Sequence, residues 1–232
     1  LFLYLALPSP HTPWLPTEEY LGKSGAGMYG DFVMQVDDVV GKVSDSLEAA
    51  GMTNDTLVLF SSDNGPVWYD KDTERFNHRT TGPLRGVKGS VWEGGHRMPF
   101  IVRWPAQVGN GTMNDRTVAF ADVFATFAQL AGQKSLPEGM ARDSVSFADS
   151  LFTDSSSLDP RPPVLHGERS IRAGDWKLIA TKGGRGFGAP KKQYGIELYN
   201  LKDDLSEENN LADQMPEKVD AMRGLIQKTL AD

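Results

Sequence analysis

Residues 56–66, TLVLFSSDNGP, join a short apolar run to a polar turn. Residues 56–61 read as a buried strand, because the run is uncharged, partly β-branched and closed by turn residues. Directly after it stand Asp63, Asn64 and Gly65. A carboxylate beside an amide oxygen suits a hard divalent cation, and the glycine permits a tight turn. A plain Asp-Asn-Gly turn after a strand is the structural alternative.

Upstream, residues 28–50 carry apolar side chains at Tyr29, Phe32, Val33, Val36, Val40, Val43 and Leu47. Steps of three and four predict a helix with one apolar face, stopped by Gly51. Residues 1–7, LFLYLAL, read as another buried strand. Strand, helix, strand predicts a right-handed crossover with the two strands parallel. His11 then follows the first strand and Asp63 the second. Both are expected at the carboxyl edge of an open sheet, where such folds bind ligands.

Downstream, residues 66–98 read as a long glycine-rich loop, of the kind that often serves function. Cations concentrate there in an otherwise acidic chain. From Arg75 to Arg103 there are six Lys or Arg and two His against the single acid Glu93. A cation site beside a basic patch suits an anionic ester. PFIVRW (99–104) is a further strand, 117–131 a helix closed by Gly132, and 133–163 a connector. Beyond 164, the runs VLH, SIRA, WKLIAT and IELYN predict a small antiparallel sheet, with GGRGFGAPKK (183–192) as a hairpin loop. A helix at 216–230, with Pro216 near its start, completes it.

The chain has 232 residues, 39% of them hydrophobic, enough for one large domain or one and a half smaller ones. Its apolar runs fall short of a membrane span. The net charge of −7 argues against a general nucleic-acid binder. With no Cys there are no disulfides and no thiolate metal ligands. Asn54-Asp-Thr and Asn110-Gly-Thr are glycosylation sequons, which matter only in a eukaryotic secretory host and are more readily read as chance occurrences.

These segments, in this order, resemble the type I sulfatase (arylsulfatase) family of the alkaline phosphatase superfamily. The resemblance runs from LFLYLALPSPHTPW (1–14) through SSDNGP (61–66) and GPLRGVKGSVWEGGHRMPFIVRWP (82–105) to IRAGDWKLI (171–179) and ELYNLKDDLSEENNLA (197–212). It implies an α/β fold, with a mixed central sheet flanked by helices and a small antiparallel C-terminal subdomain. Residues 1–160 are then the C-terminal part of the catalytic domain, and 161–232 the subdomain.

The resemblance also implies sulfate ester hydrolysis, one Ca2+ bound in part by Asp63 and Asn64, and a sulfated small molecule or carbohydrate as substrate. The family's nucleophile is a formylglycine made from the first residue of C/S-x-P-x-R. No such motif occurs here. The nucleophile is therefore expected in a missing N-terminal portion of the same protein, and this chain alone is expected to be inactive. Family habit places the protein in the periplasm, a lysosome or outside the cell.

His11 matches the family histidine that contacts sulfate and the leaving oxygen, against a strand-end His beside Pro10 and Pro13. An imidazole can do either job near neutral pH. Lys88 matches the sulfate-binding lysine in R-G-x-K-G-x-x-W-E-G-G, where an ammonium meets growing oxyanion charge. Its alternative is a solvated loop lysine. Arg85 and Arg97 read as loop braces, with Glu93 a candidate partner. His78 and His166 are candidate substrate contacts or surface imidazoles. Trp14, Trp68 and Trp92 are open between a cleft lining and the core. A phosphodiesterase or phosphonate hydrolase of the same superfamily, and a non-catalytic binding module, are the alternative functions.

Overall fold

The structure is a computed structural model, and it describes residues 1–153, 158–168, 170–180 and 195–231. The expected hairpin at 183–192 lies outside these. Two compact units form. The first holds residues 1–59, 68–80 and 102–106; the second holds 60–67, 81–101 and 107–232.

In the first unit, α1 spans Gly27–Ala49 as the apolar spacing predicts. Asp31 is buried near its start, where its carboxylate accepts the N–H groups of Gly22 (2.8 Å) and Ser24 (2.9 Å). That fixes how the chain enters the helix. Tyr29 meets Trp14 and Trp68 with ring centroids 5.4 Å away in each case. Trp68 also packs on Phe76 and is buried, so it serves as core. A second helix, α2 (Asp70–Phe76), lies inside the stretch expected to be loop, ended by Asn77 in the left-handed region. Its sequence DKDTERF has one apolar residue, so it offers no periodicity to read.

Residues 1–7 correct the expected buried strand. They carry no strand, and Leu1, Phe2, Leu3, Tyr4 and Leu5 are exposed. A strand needs a hydrogen-bonded neighbour, which apolar composition alone does not supply. Without it the parallel crossover is not formed, and His11 loses the strand end that was to place it. The strand at 56–61 does form, as β1 (Val58–Ser61), and it pairs with β2 (Phe100–Arg103).

The second unit contains a single helical turn, α3 (Glu93–His96), and the helix α4 (Asp122–Leu130). The latter starts later than the expected 117. Asp122 explains this: its buried carboxylate accepts the N–H of Ala119 (2.8 Å) and of Val145 (2.9 Å), holding the preceding residues as loop. Arg161 grips the same carboxylate at 2.7 and 2.8 Å and so ties the connector to α4.

The C-terminal sheet follows its predicted order, with β3 (Val164–Leu165), β4 (Ser170–Ala173), β5 (Trp176–Ile179) and β6 (Glu197–Asn200) all antiparallel. Register gives its two faces different chemistry. Ile171, Leu178 and Leu198 align across three strands and pack with Val219, Met222 and Ile226 of α5 (Pro216–Ala231). Burial of each such side chain contributes roughly 1.5–3 kcal/mol. Arg172, Lys177 and Tyr199 align on the opposite face, where Ile179, Tyr199 and Leu201 pack with Trp92. That face receives the segment 82–98.

Candidate active site loops

The Asp63–Asn64 turn is braced within the second unit. Gly65 N–H donates to the Gly95 carbonyl at 2.9 Å. A Cβ at Gly65 would run into the Gly94 carbonyl, so only glycine fits. Asp63 is exposed, and among the described residues its carboxylate has no hydrogen-bond or ion-pair partner. Asn64 spends its Nδ2 on the Gly65 carbonyl (2.9 Å), which leaves Oδ1 as an acceptor.

Two oxygen donors fit one flank of a calcium site, which needs six to eight. Among the described residues no group of three or more His, Cys, Asp or Glu converges on a common point. These two donors are therefore a partial set.

Lys88 is joined to the same turn through its main chain, its N–H donating to the Pro66 carbonyl at 2.8 Å. Lys88 is half-buried, and among the described residues its ammonium has no carboxylate partner. Asp63, Asn64 and Lys88 thus sit on loops bonded to each other.

His11 and His78 belong to the first unit. His11 is exposed, with Nδ1 2.7 Å from the Thr12 carbonyl. His78 is exposed and edge-on to Trp68, ring centroids 5.7 Å apart.

His166 lies in the second unit, stacked on His96 with centroids 3.8 Å apart. Its Nε2 is buried and, among the described residues, has no hydrogen-bond partner. His96 Nε2 stands 3.1 Å from the Val91 carbonyl and 3.3 Å from Lys177 Nζ.

Beneath the stack is a buried ionic network. Lys177 is fully buried, with Nζ 2.9 Å from Glu93 Oε1 and 2.8 Å from Glu207 Oε1. Arg172 and Arg97 each approach Glu93 Oε2 at 3.5 Å, so Arg97 braces the loop as expected. Burial by itself would raise the Glu93 carboxyl, but Lys177 overcomes this and holds it down to about 2. Burial raises Glu207, the less favoured of the two carboxylates sharing Lys177. Arg85 is a second brace. Its Nη1 donates to Tyr199 Oη and the Glu207 carbonyl, each at 2.9 Å, and its guanidinium lies over Trp92. Trp92 is buried and donates to Glu197 Oε2 at 2.9 Å, making it core rather than cleft.

Burial first, then the Lys177 charge, lowers His96 from 6.5 to about 4; burial, His96 and Lys177 lower His166 to about 3. This gives a pH dependence of stability. In the unfolded chain both imidazoles protonate near 6.5, while the native pair resists until far lower pH. Their contribution is complete above about 6.5 and is lost as pH falls, with a limiting slope of about 2.7 kcal/mol per pH unit for two protons. Glu207 opposes this by taking a proton early, and Glu93 adds to the loss only below 4.5. The urea midpoint is expected to fall steadily from pH 7 to pH 5, and His166→Phe should flatten that dependence. A midpoint constant across this window would contradict a neutral buried pair.

Sequence reading did not single out Lys177 or Glu207. Lys177 left a signal, as a lone charge inside the strand WKLI, all of whose neighbours are apolar. Glu207 left none, sitting in the acidic run DDLSEEN.

The sulfatase family profile matches residues 1–133. The N-acetylgalactosamine-6-O-sulfatase of Bacteroides thetaiotaomicron is 35% identical over 97% of this chain, which covers 46% of that protein. The mouse (Mus musculus) N-acetylgalactosamine-6-sulfatase is 36% identical over 57% of the chain and 25% of its own length. A solved structure, described in terms of the metabolism of multiple glycosaminoglycans by B. thetaiotaomicron, superposes with a TM-score of 0.84 at 34% identity, over 97% of this chain and 49% of its own. The chain belongs to the sulfatase family. Its fold is α/β, of the alkaline-phosphatase-like type, and it spans about half the length of the two B. thetaiotaomicron relatives.

Proposed function

We propose that the whole protein hydrolyses sulfate esters, with a sulfated carbohydrate as substrate. The observation that carries this is the bonding of the Asp63–Asn64 turn and the Lys88 loop to each other, which brings two oxygen donors and an uncommitted ammonium onto one frame. The carbohydrate class rests on two relatives named as N-acetylgalactosamine-6-sulfatases.

Asp63 and Asn64 would hold calcium, which when bound polarises the sulfate oxygens. Lys88 stabilises the charge that grows on sulfate in the transition state. His11 protonates or steadies the departing alcohol. The exposed His78 is the substrate-side imidazole. A substrate role for His166 is supported only by its Nε2, which has no partner among the described residues.

The nucleophile, a formylglycine by family habit, is supplied from outside these residues, none of which forms its motif. Residues 1–160 belong to the catalytic domain, and 161–232 form a subdomain with its own core. Among the described residues no helix is long and apolar enough to cross a membrane. A periplasmic, lysosomal or secreted setting is the accompanying proposal.

Calcium should raise the melting temperature of the whole protein by mass action. Asp63→Ala should abolish most of that rise, and Asn64→Ala less. An unchanged calcium response in Asp63→Ala would remove the metal assignment. His11→Ala should cost roughly a hundredfold on a sugar sulfate and clearly less on nitrophenyl sulfate, whose leaving group needs little protonation. Equal kcat/KM losses on both substrates would reduce His11 to a sulfate contact.

A further inference from the structure

The α3 turn is held on two flanks. On one flank it carries the oxygen-donor turn, through Gly65 N–H to the Gly95 carbonyl at 2.9 Å and the close approach of Gly65 to Gly94. On the other it is gripped by residues of the C-terminal sheet and the segment after it. Glu93 N–H donates to Glu207 Oε2 at 2.7 Å, while Lys177 Nζ bridges Glu93 and Glu207 at 2.9 and 2.8 Å.

Glu207 reaches further. Its carbonyl accepts from Arg85 at 2.9 Å, and the Arg85 carbonyl accepts Gly94 N–H at 2.8 Å. One residue therefore contacts both ends of the 85–94 loop, and Lys88 lies between them. Two carboxylates and an ammonium buried together are costly to desolvate, and apolar side chains of similar volume would serve stability as well or better. What the ionic arrangement adds is direction, because Glu207 accepts the Glu93 main-chain amide with its carboxylate and the Arg85 guanidinium with its own carbonyl.

We infer that Glu207 and Lys177 are positioning residues for the Asp63–Asn64 pair and for Lys88, making the C-terminal subdomain part of the catalytic apparatus. This rests on the metal and sulfate roles proposed above. Such supporting partners are known to tune ligands they do not replace, at roughly 10- to 100-fold in affinity or activity.

The test uses the whole protein. Glu207→Gln keeps an acceptor for Glu93 N–H and loses the charge facing Lys177. Glu207→Ala loses both. Calcium affinity by titration calorimetry and kcat on a sulfate monoester are read at a temperature where circular dichroism shows each variant folded. Glu207→Ala is expected to weaken calcium binding and lower kcat by roughly 10- to 100-fold, with Glu207→Gln recovering most of both. A role in stability alone would lower the melting temperature and leave affinity and kcat of the folded protein unchanged, which overturns the inference.

If Glu207→Ala does not fold, Glu207→Asp replaces it. A loss graded from Gln to Asp supports positioning, and wild-type values in both overturn it. If the wild type neither binds calcium nor releases sulfate, the functional reading has failed by itself. Amide exchange then decides the positioning: the Gly65 and Lys88 amides should exchange faster in the Glu207 variant while those of α4 do not. Unchanged exchange at both overturns it.

Discussion

Lys88→Ala is expected to lower kcat on a sulfate monoester by roughly 10²- to 10³-fold, the scale for removing one preorganised group facing an oxyanion. The side chain is half-buried, so its charge acts in a medium less screening than water. Among the described residues no carboxylate pairs with it, which leaves it available to an anionic group in the proposed site. Its position is set from the main chain, by its N–H to Pro66 and by the one-sided contact of the Gly65 turn with α3. The fold should therefore survive the substitution, and the loss should appear in kcat with the melting temperature nearly unchanged. Lys88→Arg should rescue poorly, because a planar guanidinium does not replace a compact ammonium at a fixed point. Wild-type kcat in Lys88→Ala would return Lys88 to a solvated loop residue.

The second large effect is on stability. Lys177→Met keeps the volume of the side chain and removes its charge. Glu93 and Glu207 would then face each other inside the protein, and breaking a buried pair in this way costs about 3–5 kcal/mol. Arg172 and Arg97 still approach Glu93 at 3.5 Å, but the Glu207 carboxylate keeps no ion-pair partner among the described residues. The double variant Lys177→Met/Glu207→Gln should regain much of the loss, because the stranded charge goes with its partner. Urea unfolding at pH 7 measures both. A loss in Lys177→Met below about 1 kcal/mol would show that the network is hydrated or rearranges at little cost.

Where a pattern is local, the sequence anticipates the structure. The three-four spacing of Phe32, Val36, Val40 and Val43 carries α1, and the short runs after 164 carry the antiparallel sheet and α5. Where an element depends on a partner, reading along the chain fails. LFLYLAL has the composition of a central strand, yet a strand exists only with a neighbour, and none pairs with it among the described residues. The start of α4 was hidden because Asp122 is engaged by Val145 and Arg161, both more than twenty residues distant.

The same division applies to the site. The sequence puts Asp63, Asn64 and Lys88 on loops, and the hydrogen bonds show those loops joined; their chemistry is the proposal made above. The residues that secure α3 from behind were not legible. Lys177 and Glu93 are 84 positions apart, and no local spacing reports such a contact.

The most direct test of the central proposal is a paired turnover measurement on the whole protein, with calcium present. Release of inorganic sulfate from a 6-sulfated N-acetylhexosamine is compared with hydrolysis of a phosphate diester of matched leaving group. The sulfatase reading predicts the higher kcat/KM on the sulfate ester, with that activity lost in Asp63→Ala. Preference for the phosphate diester, or sulfate release that survives Asp63→Ala intact, would contradict it.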